Sequence, residues 1–156
     1  MGCDIWVHIE KKIDEKYNTW EEVALYRIGK YTHKLEIAPA YEGRNYGLFS
    51  LLAGIRGWMD ALVDPRGLPE NLSETVEKAW KWCEDWCHTP TWYDLNEFYL
   101  YRKLYKNFEG DEDDKEAYDS FIDFVDCIEN YLELAQEWTF GDARPGEYRV
   151  VIWFDN

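Results

Sequence analysis

Four short stretches of the chain hold residue types that can do chemistry. Gly43-Arg44-Asn45-Tyr46 opens an apolar run. A helix starting there offers unpaired backbone N–H groups and the positive end of its dipole, and Arg44 adds a forked donor. That combination suits an anion or a phosphate. Asp64-Pro65-Arg66-Gly67-Leu68-Pro69 is a rigid turn presenting one arginine, able to read a carboxylate, a phosphate or a base edge. His88-Thr89-Pro90-Thr91-Trp92 places an imidazole, hydroxyls and a large ring in one tight segment. His88 can serve as acid, base or hydrogen-bond partner, and Trp92 can stack on a planar ligand. Asp4, Trp6, His8 and Glu10 alternate with Ile5, Val7 and Ile9, so they share one face of a strand. Facing a cleft, they would supply carboxylates and a ring.

Each stretch also has a purely structural reading. Asn45 could cap a helix beside a solvated Arg44. Arg66 could bond loop carbonyls. His88 to Trp92 could be a helix cap with a packed indole. The polar face of the first strand could look at solvent. Standard catalytic signatures are absent: the chain has no HExxH, GxSxG, GxxxxGK or GxGxxG. Cys83 and Cys87 stand four residues apart with His88 following, which is half a metal site. No second ligand pair accompanies them, so two small residues on a buried helix face are expected and no metal or cofactor.

The elements that must position these residues follow from periodicity. Residues 4–10 alternate as a half-buried strand, residues 14–18 are turn-like, and residues 20–28 read as a second strand completing a hairpin. Residues 149–154, RVVIWF, are apolar on both faces, as a central strand should be. Residues 45–55 read as an apolar helix. Asn71 and Ser73 offer caps for a helix reaching about Trp86, with Val76, Ala79, Trp80, Cys83 and Cys87 on one face. Pro90-Thr91 reads as the opening of another helix, with Asp94 three residues after a Thr cap. The clearest helix covers residues 115–138. Phe121, Phe124, Val125, Ile128, Tyr131, Leu132, Ala135 and Trp138 keep a 3.6-residue spacing, and Asp111 to Asp114 favour the dipole at its start. Residues 141–146 turn the chain into the last strand. The expectation is one α+β domain over residues 1–156. Its small, mainly antiparallel sheet, of three strands or slightly more, is built from the N-terminal hairpin and the C-terminal strand and packed with about four helices.

Composition bounds the partners. The 156 residues carry a formal charge of −15, with 17 Lys and Arg against 32 Asp and Glu. That sign opposes direct DNA, RNA or anionic-membrane binding. The acidity is local: −3 over residues 1–108 and −12 over residues 109–156, so a nearly neutral region remains where a small phosphate ligand could bind. With 18% aromatic residues the chain is too ring-rich for disorder. No secretory signal or membrane-length apolar run is present, so free thiols and a cytoplasmic location are expected.

The opening Met-Gly-Cys-Asp-Ile with Glu10, the segments Gly43-Arg44-Asn45-Tyr46 and Leu48-Phe49, the turn Pro65-Arg66-Gly67-Leu68-Pro69, His88 before Thr91-Trp92, and the ending Val151-Ile152-Trp153-Phe154-Asp155-Asn156 occur here in order. In this the chain resembles a family of small bacteriophage and prophage proteins that begin MGCDIH and end FDN. The likeness covers both ends and about the first 100 residues, not the acidic segment. That family usually has His where this chain has Trp6, and the nearest imidazole here is His8, on the same strand face. The resemblance implies a phage origin and a workplace in the host cytoplasm. It favours the functional reading at Asp4, Arg44, Asn45, Arg66, His88 and Trp92; with Trp6, Tyr46 and Thr91 from the residue reading, these are the expected ligand-binding residues.

Three functions are compatible with these residues. The first is a phage accessory protein, with an anti-defence role among the options, that binds and sequesters a small nucleotide-like anionic ligand. The second is an acidic inhibitor of a basic host protein, or nucleic-acid mimic, acting through residues 109–137. The third is a small nucleotide hydrolase using His88, with Arg44 and Arg66 holding a phosphate. All three need the turns bearing Arg44, Arg66 and His88 to converge, and the first and third weaken if those side chains lie on separate surfaces.

Overall fold

The computed structural model describes residues 2–135 and 145–156. Its strands are β1 (Ile5–Asp14), β2 (Thr19–Val23), β3 (Leu25–Ile28), β4 (Leu35–Ala38), β5 (Cys87–Asp94) and β6 (Tyr148–Asp155). Its helices are α1 (Tyr46–Ala53), α2 (Glu74–Cys83), α3 (Leu95–Tyr105) and α4 (Glu112–Leu134). The main sheet has the order β2-β1-β6-β5 with every neighbouring pair antiparallel. The α+β architecture is therefore the one expected, with the N-terminal hairpin and the C-terminal strand side by side. No helix among the described residues is long and apolar enough to cross a membrane.

Strand β6 is central, and residues Tyr148 to Phe154 are all buried. Its two faces belong to two cores. Val150, Ile152 and Phe154 join Ile5, Val7, Ile9 and Tyr93 beneath α1, α3 and α4. Val151 and Trp153 pack with Val76 and Cys83 of α2, and Trp6, Trp80 and Trp92 close over them. The sheet is thus sandwiched between three helices and one helix, which is why the last strand carries no polar alternation.

Local signals explain the helix starts. Asn45 accepts a hydrogen bond from the Leu48 N–H at 3.0 Å and donates to Ser120 Oγ at 2.8 Å, tying α1 to α4. Ser73 caps α2. Asp94 and Glu97 form a full capping box on α3. In α4 the periodic residues Phe121, Phe124, Val125, Ile128, Tyr131 and Leu132 are buried as expected.

Four elements differ from expectation. Helix α2 stops at Cys83 rather than about Trp86, so Cys87 opens β5 instead of sharing the helix face. Residues 20–28 divide between β2 and β3, which lie in separate sheets, and β3 pairs with β4 in a small hairpin. The helix expected from Pro90-Thr91 is instead strand β5. Thr91 and Tyr93 are buried on one face while Trp92 goes to the other, and the true capping signal is Asp94 with Glu97 three residues on. Pro90 is tolerated because β5 is an edge strand whose register shifts between His88 and Thr91. Helix α4 begins and ends a little earlier than its periodicity suggests. Trp138 and most of the expected 141–146 turn lie outside the described residues.

Candidate functional site

Strand β2 pairs with β1 only from Ile9 onward, so the stretch from Ile5 to His8 has β6 on one side and an uncovered edge on the other. The β3–β4 hairpin and the chain following it arch over that edge. A cavity of about 440 Å³ lies between, walled by β1, Glu22, residues 36–43 and Tyr131. Tyr131 holds the arch in place. Its hydroxyl accepts from the Leu25 N–H and donates to the Ala38 carbonyl, both at 2.8 Å.

The chemistry of this cavity centres on His8 and Glu22. His8 Nδ1 meets Glu22 Oε2 at 2.7 Å, and the imidazole stacks on the buried Trp153 indole with ring centroids 4.7 Å apart. Only 5% of the Glu22 side chain and 15% of His8 are exposed. The remaining polar atoms, His8 Nε2 and Glu22 Oε1, are buried without a hydrogen-bond partner among the described residues. Buried polar atoms are normally satisfied, and leaving one unpaired costs about 1–3 kcal/mol. With His8 neutral, the carboxylate holds the Nδ1–H tautomer, so Nε2 is an acceptor. In that form the pair offers two acceptors and the geometry of a general base. The described lining residues include no Ser, Thr, Cys or Lys to act as a nucleophile. Arg27, which also lines the cavity, is bonded to Glu36 at 2.8 Å and to Glu42 at 3.5 Å.

Asp4 and Trp6, both expected site residues, line the same cavity together with Asp155. The Trp6 indole N–H donates to Asp155 Oδ2 at 2.9 Å, and the Asp4 N–H donates to Asp155 Oδ1 at 3.0 Å. Arg44 grips Asp4 with two bonds, at 2.6 and 3.2 Å, and holds its carboxyl below the usual carboxylate range. The Tyr46 hydroxyl accepts from the Cys3 N–H at 3.4 Å. Asp4, Trp6, Arg44 and Tyr46 thus gather at one end of the sheet, beside the cavity, with Asn45 placed behind them as the α1 cap.

Arg66, Thr91 and Trp92 form a separate group. The Arg66 N–H donates to Thr91 Oγ1 at 3.1 Å. Its guanidinium donates to the Trp92 carbonyl at 3.0 Å and bonds both Glu97 oxygens, at 2.8 and 2.7 Å. It also lies 5.0 Å from the Trp92 ring centroid. Arg66 holds the Glu97 carboxyl low, whereas burial raises that of Asp94. His88 sits opposite Phe154, stacked on it at 6.3 Å, with Nδ1 2.9 Å from Thr89 Oγ1 and Nε2 buried without a described partner. Thr89 has φ of 53°, a strained setting for a β-branched residue.

These groups do not form one pocket, so the shared phosphate site expected from Arg44, Arg66 and His88 is not assembled, and any ligand site must rest on the β1 cavity instead. Trp92 pairs with Val151, which pairs with His8, so Arg66 flanks β5 while the cavity flanks β1. Two strand spacings, roughly 10 Å, separate those strands. Both arginines hold carboxylates rather than standing open. Glu10 turns inward instead of toward a ligand. Its oxygens bond Arg149 Nε at 2.7 Å and the Ser73 N–H at 2.6 Å, with Glu10 fully buried.

Sequence reasoning placed His8 on the right strand face but missed Glu22. An acidic residue in a strand-like run gives no sign that the second strand will stop beside a histidine and roof a cavity. The cysteines behave as packing residues: Cys83 and Cys87 are buried, and burial together with the neighbouring Cys83 thiol pushes the Cys87 thiol up, away from the reactive thiolate. Compared with known proteins, the chain matches no family model, no curated protein and no solved structure.

Proposed function

We propose that the protein binds and sequesters a small nucleotide-like ligand in the β1 cavity, as an accessory protein of a phage working in the host cell. The observation that carries this reading is the His8–Glu22 pair, which leaves two buried polar atoms unsatisfied, both acceptors when His8 is neutral, in a cavity of about 440 Å³. That volume is in the range of small-molecule sites. The acceptors suit the N–H groups of a nitrogen heterocycle, and Trp6 and Tyr41 supply aromatic wall. The cation on the cavity wall is Arg27, half-exposed and paired with Glu36 and Glu42, and phosphate oxygens on the same ligand would have to take their place. The chain-end likeness to phage proteins supports the host-cell setting.

Thermal-shift and calorimetric titration with nucleobases, nucleosides, mononucleotides, cyclic dinucleotides and ADP-ribose derivatives tests the proposal. A true ligand at about 100 times its Kd adds about 2.7 kcal/mol, or roughly 5–10 °C in melting temperature for a chain of this size. Glu22→Gln should abolish most of that gain. Failure of every ligand class to stabilise the wild-type protein would reject the reading. Appearance of product by mass spectrometry would replace sequestration with turnover.

A second reading rests on α4. Asp111, Glu112, Asp113, Glu116, Asp119, Asp123 and Glu133 are all exposed on one rigid helix and its cap. Such a surface would dock on a basic host protein as an inhibitor. Salt-sensitive capture of one host protein, lost on reversing these charges, supports that role. Capture that survives the reversal excludes it.

A further inference from the structure

Trp6, Trp82 and Trp86 form a cluster on the α2 side of the sheet. Their ring centroids lie 6.2, 6.0 and 5.2 Å apart, and their planes are inclined by 58°, 68° and 81°. Trp82 is 70% exposed and Trp86 43%. An indole is among the largest apolar surfaces a residue can bury, and α2 already buries Val76 and Cys83. Presenting two such rings to solvent around a third is not explained by packing.

We propose that this cluster binds a quaternary ammonium group. The three centroids define a triangle whose centre is about 3.4 Å from each, so a cation about 4 Å above it lies about 5 Å from all three, within the roughly 6 Å reach of a cation–π contact. The steep inclinations let several ring faces contribute. The local charge matches a cation. Glu84 and Asp85 are exposed in the turn between Trp82 and Trp86, and Asp155 accepts from the Trp6 indole. The nearby lysines Lys78 and Lys81 are engaged by Glu74 and Glu77. Asp155 fixes the Trp6 indole, and the Trp82 and Trp86 rings lean on it and on each other. A quaternary ammonium suits the site better than a primary one, because its methyl groups contact indole faces and it needs no hydrogen-bond acceptor.

The test uses choline, with tetramethylammonium as the minimal probe and 3,3-dimethylbutan-1-ol as the uncharged isostere of choline. Binding is followed by calorimetry and by saturation transfer to the methyl protons. Choline should bind at least about tenfold more tightly than the isostere. Trp82→Ala should weaken choline by about 2- to 5-fold, the size of a cation–π contact at an exposed ring, and Trp82→Phe by less. Because Trp82 is so exposed, both variants should keep the wild-type stability, read from urea unfolding midpoints, to within about 1 kcal/mol, which is the check on folding. Trp6 and Asp155 also line the β1 cavity, so the control is Glu22→Gln, which lies outside the tryptophan cluster and should leave choline affinity unchanged. Equal binding of the isostere, undiminished binding by Trp82→Ala, loss on Glu22→Gln, or no choline binding at all would each overturn the proposal.

Discussion

Replacing Glu10 by Ala should be among the most destabilising single changes in the protein. Glu10 is fully buried between the sheet and α2, where it holds two groups in place. One oxygen accepts from Arg149 Nε at 2.7 Å and the other from the Ser73 N–H at 2.6 Å. Arg149 in turn donates to the Asn71 carbonyl at 3.2 Å and lies 3.9 Å from the Trp20 ring centroid. Removing the carboxylate leaves a buried guanidinium, which burial already pushes toward its neutral form, and it leaves the Ser73 amide unpaired. Breaking a buried pair by deleting one partner costs about 3–5 kcal/mol. At about 2–4 °C per kcal/mol for a domain of this size, the melting temperature should fall by roughly 6–20 °C. The assay is urea unfolding with calorimetry, extended to a double-mutant cycle with Arg149→Met. The Glu10→Met, Arg149→Met double variant removes both charges together and should recover much of the loss of Glu10→Met. A Glu10→Ala protein within about 1 kcal/mol of wild type would refute the argument, since that is below the cost of a single unsatisfied buried group. So would strict additivity in the cycle.

Two further outcomes follow from the same kind of accounting. Tyr131→Phe strands the Leu25 N–H and the Ala38 carbonyl, so it should cost about 1–3 kcal/mol and speed amide exchange in the β3–β4 hairpin, measured by mass spectrometry. Glu97 is held low mainly by its hydrogen bonds to Arg66, so its contribution to stability is present above the unfolded carboxylate range and lost as pH falls through the folded value. The stability gap between wild type and Glu97→Gln, read from urea midpoints, should therefore be open at neutral pH and close in acid.

Much of the architecture was legible because it rests on local patterns. The alternation at Asp4 to Glu10, the two-faced apolarity of β6 and the 3.6-residue stripe of α4 each follow from burial of one face or two. Pro90-Thr91 misled because a Thr with an acidic residue three positions later satisfies the capping pattern. The competing signal, β-branched and aromatic residues alternating between two cores, shows only once both cores exist. Residues 20–28 misled for a related reason. Nothing local marks Ala24 as the point where the chain leaves one sheet for another.

The candidate site divides along the same line. Residue types, spacing and the gathering of acidity in the last third are properties of the linear chain, and they nominated Asp4, Trp6, Arg44, Arg66, His88 and Trp92. Which of these share a surface is a long-range question. Asp4 meets Arg44 and Asp155, Arg66 is claimed by Glu97, and His8 finds Glu22. Those pairings depend on strand order and on where β2 stops pairing with β1. The linear chain therefore determined the α+β class, the apolar central strand and the acidic helix, because these arise from neighbours a few residues apart. Only the tertiary structure decided that the cavity belongs to His8 and Glu22, that Glu10 is a buried anchor, and that three tryptophans meet at the surface. The partners in those arrangements are brought together by sheet pairing and helix packing, to which local sequence is blind.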